Sequence, residues 1–115
     1  MGITIAKKTA VEKSTYVITV NFFDEDGVPV TPVNAVWSLV DFNGNIINGR
    51  DQVAFASLGP SAVVVLKGDD LVILENKASE RRSFVIEATY SSTLGTGLPL
   101  NHQLDFRVTN LRRIE

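Results

Sequence analysis

The chain has 115 residues, 44% hydrophobic and 21% charged, which is the make-up of one globular domain and too little for two full cores. A net charge of -2 excludes the basic footprint of a general nucleic-acid binder. With no Cys and one His, disulfide scaffolds, cysteine nucleophiles and thiolate zinc sites are excluded, and a transition metal would find almost no nitrogen ligands.

Val, Ile and Thr fill 32 of the 115 positions. That weighting favours strands, where a branched Cβ packs well on a pleated surface. Residues 1–13 lack the apolar stretch and small-residue cleavage site of a secretory signal, and they read as an arm or an edge strand. Residues 14–23 alternate cleanly: Tyr16, Ile18, Val20 and Phe22 share one face. Asp24, Glu25, Asp26 and Gly27 then form a turn, with Gly27 free to take positive φ. Pro29 and Pro32 mark an irregular connection.

Residues 34–41 are the next predicted strand, with Ala35, Trp37 and Leu39 on one face. Asn43 and Gly44 predict a type I′ hairpin turn that returns residues 45–48 alongside, and Asn48 and Gly49 supply a second turn. A short strand over 52–58 carries Val53 and Phe55. After Gly59 and Pro60, residues 62–67 form a strand that is apolar on both faces. Gly68, Asp69, Asp70 and Leu71 end it and cap a helical turn over 71–74. Residues 75–81 read as a polar loop.

A further strand over 82–91 places Phe84, Ile86, Ala88 and Tyr90 together. Gly95, Gly97 and Pro99 punctuate a loop, and the last strand spans 100–109 with Leu104, Phe106 and Val108 aligned. Residues 110–115 are a tail.

Seven to eight alternating strands in one domain over 1–115 predict an all-β fold. The expected form is an immunoglobulin-like or fibronectin-like two-sheet antiparallel sandwich, with a jelly roll or small barrel as the alternative. Trp37, midway along a central strand, sits where such a sandwich buries its core Trp. Tyr90 does not match the tyrosine-corner position.

Candidate chemistry is sparse. His102 lies at the start of a strand and not on a sharp catalytic turn, so no triad is predicted around it. Asp24, Glu25 and Asp26, joined by Asp69 and Asp70, supply the oxygen ligands a hard cation such as Ca²⁺ prefers, although their spacing is not that of an EF-hand. The Gly95 and Gly97 segment lacks the Lys and following helix of a phosphate loop. Arg81 with Arg82 and Arg112 with Arg113 are short basic pairs suited to an acidic partner. No catalytic residue and no cofactor is expected.

The runs Val36-Trp37-Ser38-Leu39-Val40-Asp41, Gly44-Asn45-Ile46-Ile47-Asn48-Gly49-Arg50, Leu66-Lys67-Gly68-Asp69-Asp70-Leu71 and Glu87-Ala88-Thr89-Tyr90 together resemble the small immunoglobulin-like structural and accessory proteins of tailed bacteriophages and prophages. The resemblance spans roughly residues 14–110. It implies a non-catalytic virion component of head or tail, whose partners are other virion or assembly proteins or a second copy met through strand edges. It further implies assembly in the bacterial host cytoplasm and residence in the virion, with no nucleic-acid or membrane partner. Two other functions stand beside it. One is a glycan- or host-surface-binding module using the loops at 75–81 and 91–99, and the other is a Ca²⁺-stabilised adhesive domain using the acidic turn.

Overall fold

The computed structural model describes residues 2–5, 9–73 and 79–110. Eight strands are present among them: β1 (Gly2–Ile5), β2 (Thr9–Val11), β3 (Thr15–Asn21), β4 (Asn34–Asp41), β5 (Val53–Ala54), β6 (Ser61–Lys67), β7 (Ser79–Ser92) and β8 (Gly95–Thr109). One 3-10 turn, Gly68–Leu71, follows β6. The strands form two sheets, ordered β1-β3-β6 and β2-β8-β7-β4-β5. Placing β3 and β6 in one sheet and β4, β7 and β8 in the other is the partition of an immunoglobulin-like sandwich.

Alternation decides which side chains fill the space between the sheets. Tyr16, Ile18, Val20 and Phe22 from β3 and its extension meet Trp37, Leu39, Phe84, Ile86, Phe106 and Val108 in one core. Trp37 is buried and stacks on Phe84 with ring centroids 5.3 Å apart, and Tyr16 stacks on Phe106 at 4.7 Å. Ring contacts of this kind add to the free energy of burying the rings themselves.

Of the arm and the edge strand expected for the opening segment, its described residues form edge strands, one in each sheet. β1 pairs antiparallel with β3, and β2 pairs parallel with β8, so the chain crosses from one sheet to the other within its first eleven residues. The sandwich is therefore antiparallel except at the β2–β8 pair.

The larger departure lies at the other end of the chain. The expected loop over 91–99 is strand except for a turn at Thr93 and Leu94: β7 and β8 continue as one long hairpin, with Tyr90 opposite Leu98 and Ser92 opposite Gly95 across a bulge. Gly97, at φ 64°, accommodates that bulge in a backbone conformation costly for other residues. Strands of this length account for the molecule's 53 Å long axis. Likewise Ser79, Glu80 and Arg81 belong to β7 and not to a loop, while residues 75–78 of that expected loop, and residue 74 of the expected helical turn, lie outside the described residues.

Local turns also differ from expectation. At Asn43 and Gly44 only Gly44 has positive φ, at 85°, so the turn is not type I′. Asp41 governs it instead, its Oδ1 accepting the N–H groups of Asn43 and Asn45. The returning residues make only an isolated bridge, Val40 to Ile46. Asn48 and Gly49 both have positive φ (52° and 67°), and Arg50 N–H bonds to Ile47 C=O at 3.0 Å, so the type I′ geometry belongs to this second turn. The predicted strand over 52–58 shrinks to Val53–Ala54, and the helical turn falls at Gly68–Leu71, earlier than expected.

Candidate functional site

Sheet edges and outward faces are where an all-β domain without a deep cleft meets other molecules. On β6, Phe22 N–H bonds to Pro60 C=O and Gly68 N–H to Ser14 C=O. Both contacts keep the β3–β6 register, so even-numbered β6 residues turn their backbone groups toward β3 and odd-numbered residues turn theirs outward. No described strand pairs with that outward side. The same odd residues carry the exposed side chains. Val63 is 61% exposed and Val65 47%, and Val17, opposite Val65 on β3, is 42% exposed. An apolar stripe thus runs straight onto an open edge.

The edge of β8 is open too, but differently dressed. β2 covers only Arg107–Thr109. Thr89 C=O accepts from Val33 N–H, so Thr89 turns away from its β8 neighbour Pro99, and the odd residues of β8 face outward. Pro99 offers no N–H there, and Asn101, Gln103 and Asp105 present exposed polar side chains. Ser83 Oγ donates to Asp105 Oδ1 at 2.7 Å and Gln103 Nε2 donates to the same oxygen at 2.9 Å. The Ser83 bond, helped by that of Gln103, holds the Asp105 carboxyl below its ordinary range.

The expected cation ligands divide. Asp24, Glu25 and Asp26 do come together, with carboxylate oxygens within 4.8 Å of one another. They already serve as acceptors inside the protein. Asp24 Oδ1 takes the N–H groups of Asp26 and Val28, and Glu25 Oε1 takes the hydroxyls of Tyr90 (2.9 Å) and Ser92 (3.0 Å). The turn therefore fastens the tip of the β7–β8 hairpin, beside its connecting turn. The hydrogen bond to Glu25 raises the Tyr90 phenol above its ordinary pKa, with burial adding to it.

Asp70 is not part of that cluster. It is fully buried and accepts from Arg50 Nε at 2.7 Å, Asn48 Nδ2 at 2.9 Å and the N–H of Lys67 at 3.1 Å. Burial alone would raise its pKa, but the bonds from Arg50, Asn48 and Lys67 outweigh that and hold it below the ordinary carboxylate value. Arg50 also lies over the Trp37 ring, 5.8 Å from its centroid. This clasp joins the type I′ turn to the end of β6. Nothing local in the sequence announces a pair twenty residues apart.

Arg82, read as half of a short basic pair suited to an acidic partner, is 2% exposed, and the second pair, Arg112 with Arg113, lies outside the described residues. Its guanidinium donates to Arg81 C=O, Val72 C=O and Glu80 Oε1 at 2.7–2.8 Å. The signal was its parity: Arg82 is in step with Phe84 and Ile86 on the inward face. Its neighbour Arg81 is exposed and sits over the exposed Phe42 ring at 5.7 Å, beside a shallow groove of about 350 Å³ lined by residues 41–43 and 79–82. His102 is exposed on β8 and takes no hydrogen-bond or ion-pair partner among the described residues. No described helix is long and apolar enough to cross a membrane.

Comparison with protein-family models, curated proteins and solved structures returned no match.

Proposed function

We propose that this chain is a non-catalytic structural and interaction module that joins other proteins through its strand edges, as a component of a phage or prophage particle. The observation that carries the interaction reading is the exposed stripe of Val17, Val63 and Val65 leading onto the unpaired β6 edge. Apolar surface that is continuous with open backbone hydrogen-bonding groups is the usual make-up of a strand-addition site. The particle reading rests on the sequence resemblance across residues 14–110, with which an all-β sandwich agrees.

Competing readings find less support. A glycan platform wants exposed aromatic rings, whereas Trp37 and Tyr90 are buried, the exposed Phe42 ring lies under the Arg81 guanidinium, and the loop it would use at 91–99 is strand but for Thr93 and Leu94. The acidic turn is engaged in fastening the hairpin.

Gradient sedimentation of particles from cells producing the tagged chain tests the proposal. The chain is expected to travel with the particle peak. Its confinement to slowly sedimenting fractions, with intact particles present, overturns the particle assignment.

A further inference from the structure

We infer that the partner of the β6 edge is a second copy of this chain, paired antiparallel about a two-fold axis at Val63. The inference rests on the interaction-module reading and deepens it. The usable ladder has defined ends. Before it, Pro60 has no N–H and its C=O is already bonded to Phe22. At its far end, the N–H of Lys67 is held by the Asp70 carboxylate at 3.1 Å. Between these limits Ser61, Val63 and Val65 turn both N–H and C=O outward, and Val63 is their midpoint.

A two-fold contact requires a surface complementary to itself. With Val63 opposite Val63 of the second copy, Ser61 falls opposite Val65 and Val65 opposite Ser61, so each outward N–H meets a C=O. No charged side chain lies between Ser61 and Leu66, and Lys67 falls beyond the paired stretch. A charged strand from another protein would find nothing there to pair with. The product is a continuous sheet β1-β3-β6-β6-β3-β1, across which the Val17, Val63 and Val65 stripe of one copy adjoins that of the other. Each chain spends its single β6 edge, so association closes at two copies.

The other edges do not offer this. β1, β2 and β5 are four, three and two residues long, and β8 carries Pro99 and a polar fringe. Short length, proline and polar side chains are the devices by which sheets refuse further strands. β6 has none of them over its central residues.

Light scattering across roughly a hundredfold range of concentration tests the pairing. The full chain is expected to approach twice 12.6 kDa. Val63→Lys sets two ammonium groups face to face and is expected to weaken the dimer more than about tenfold while circular dichroism stays unchanged. Because the chain has no Cys, Val63→Cys introduces a single thiol at the axis. Mild oxidation is expected to link it to its own copy, whereas Val17→Cys, one strand further in, stays unlinked. A wild-type monomer at every concentration, an undiminished Val63→Lys dimer, or equal cross-linking at Val17 would overturn the proposal. A monomer that still travels with particles sinks the pairing alone, and a dimer absent from particles sinks the particle reading alone.

Discussion

The outward face of the three-stranded sheet and that of the five-stranded sheet obey the same period-two alternation, yet one presents valines and the other a hydrogen-bonded polar fringe. On β3 and β6 the outward positions hold Thr15, Val17, Thr19, Asn21, Ser61, Val63, Val65 and Lys67, with the three valines together at the centre. On β7 and β8 they include Arg81, Ser83, Val85, Glu87, Gln103, Asp105 and Arg107, Val85 alone among these being apolar, with Asp105 bonded to two neighbours. An apolar partner laid on the second face would have to strip water from charged groups, whereas on the first it would remove valine surface from water. The edges follow their faces: Pro99 guards β8, and nothing among the described residues guards β6. Two faces alike in backbone thus differ in what they admit.

Both faces stand on one core, filled by Trp37 and Phe84 among others. Trp37→Ala should cost about 3–5 kcal/mol in urea unfolding, because Trp37 and Phe84 fill the space between the sheets. A loss below about 1 kcal/mol would mean that the sheets do not share their interior through this ring, and the comparison would lose its footing.

The clasp at the end of β6 comes next. Asp70→Asn should cost about 2–3 kcal/mol at neutral pH, since a buried carboxylate that receives charged and amide donors is replaced by a weaker acceptor. The folded pKa of Asp70 is depressed, so its contribution is present above the unfolded value of about 3.9 and is lost as pH falls through the lower folded value. The wild type should therefore lose stability over that acid interval and the Asn variant should lose less, as read by denaturation at a series of pH values. Equal acid slopes in the two proteins would show that Asp70 is not the group responsible.

Much of this contrast was legible in the sequence. The strands at 14–23, 34–41 and 62–67 fall within about two residues of their observed bounds, because alternation and Gly or Pro punctuation agree there. The buried place of Trp37 followed from the same pattern. The long hairpin did not, because Gly95, Gly97 and Pro99 are loop residues by local preference. A proline whose nitrogen points off a sheet edge costs no ladder bond, so the edge position overrode that preference. Non-local pairs such as Arg50 with Asp70, and the burial of Arg82, depend on what the opposite sheet supplies. Local spacing carries no record of that. The acidic turn was legible as a cluster, but its fastening to Tyr90, 65 residues away, was not.

Removing the guard on β8 makes its edge resemble that of β6. Pro99→Val restores an outward N–H on an edge that β2 leaves uncovered. Folding stability should change by no more than about 0.5 kcal/mol, as for other surface substitutions, while association should become more concentration-dependent in light scattering. If the variant behaves as the wild type does, the polar fringe suffices as a guard without the proline.

The smallest expected effect asks what that fringe does. Ser83→Ala removes the 2.7 Å bond to Asp105 and leaves that of Gln103. The site is open to water, so stability should fall by no more than about 0.5 kcal/mol. The Asp105 carboxyl, freed from its chief donor, should titrate closer to the ordinary carboxylate range in a side-chain NMR titration. Association should not change, because Asp105 keeps its charge and still has to be dehydrated before an apolar surface can settle there. Should Ser83→Ala promote association as strongly as Pro99→Val, it is the ordering of the network that guards this face and not the charge within it.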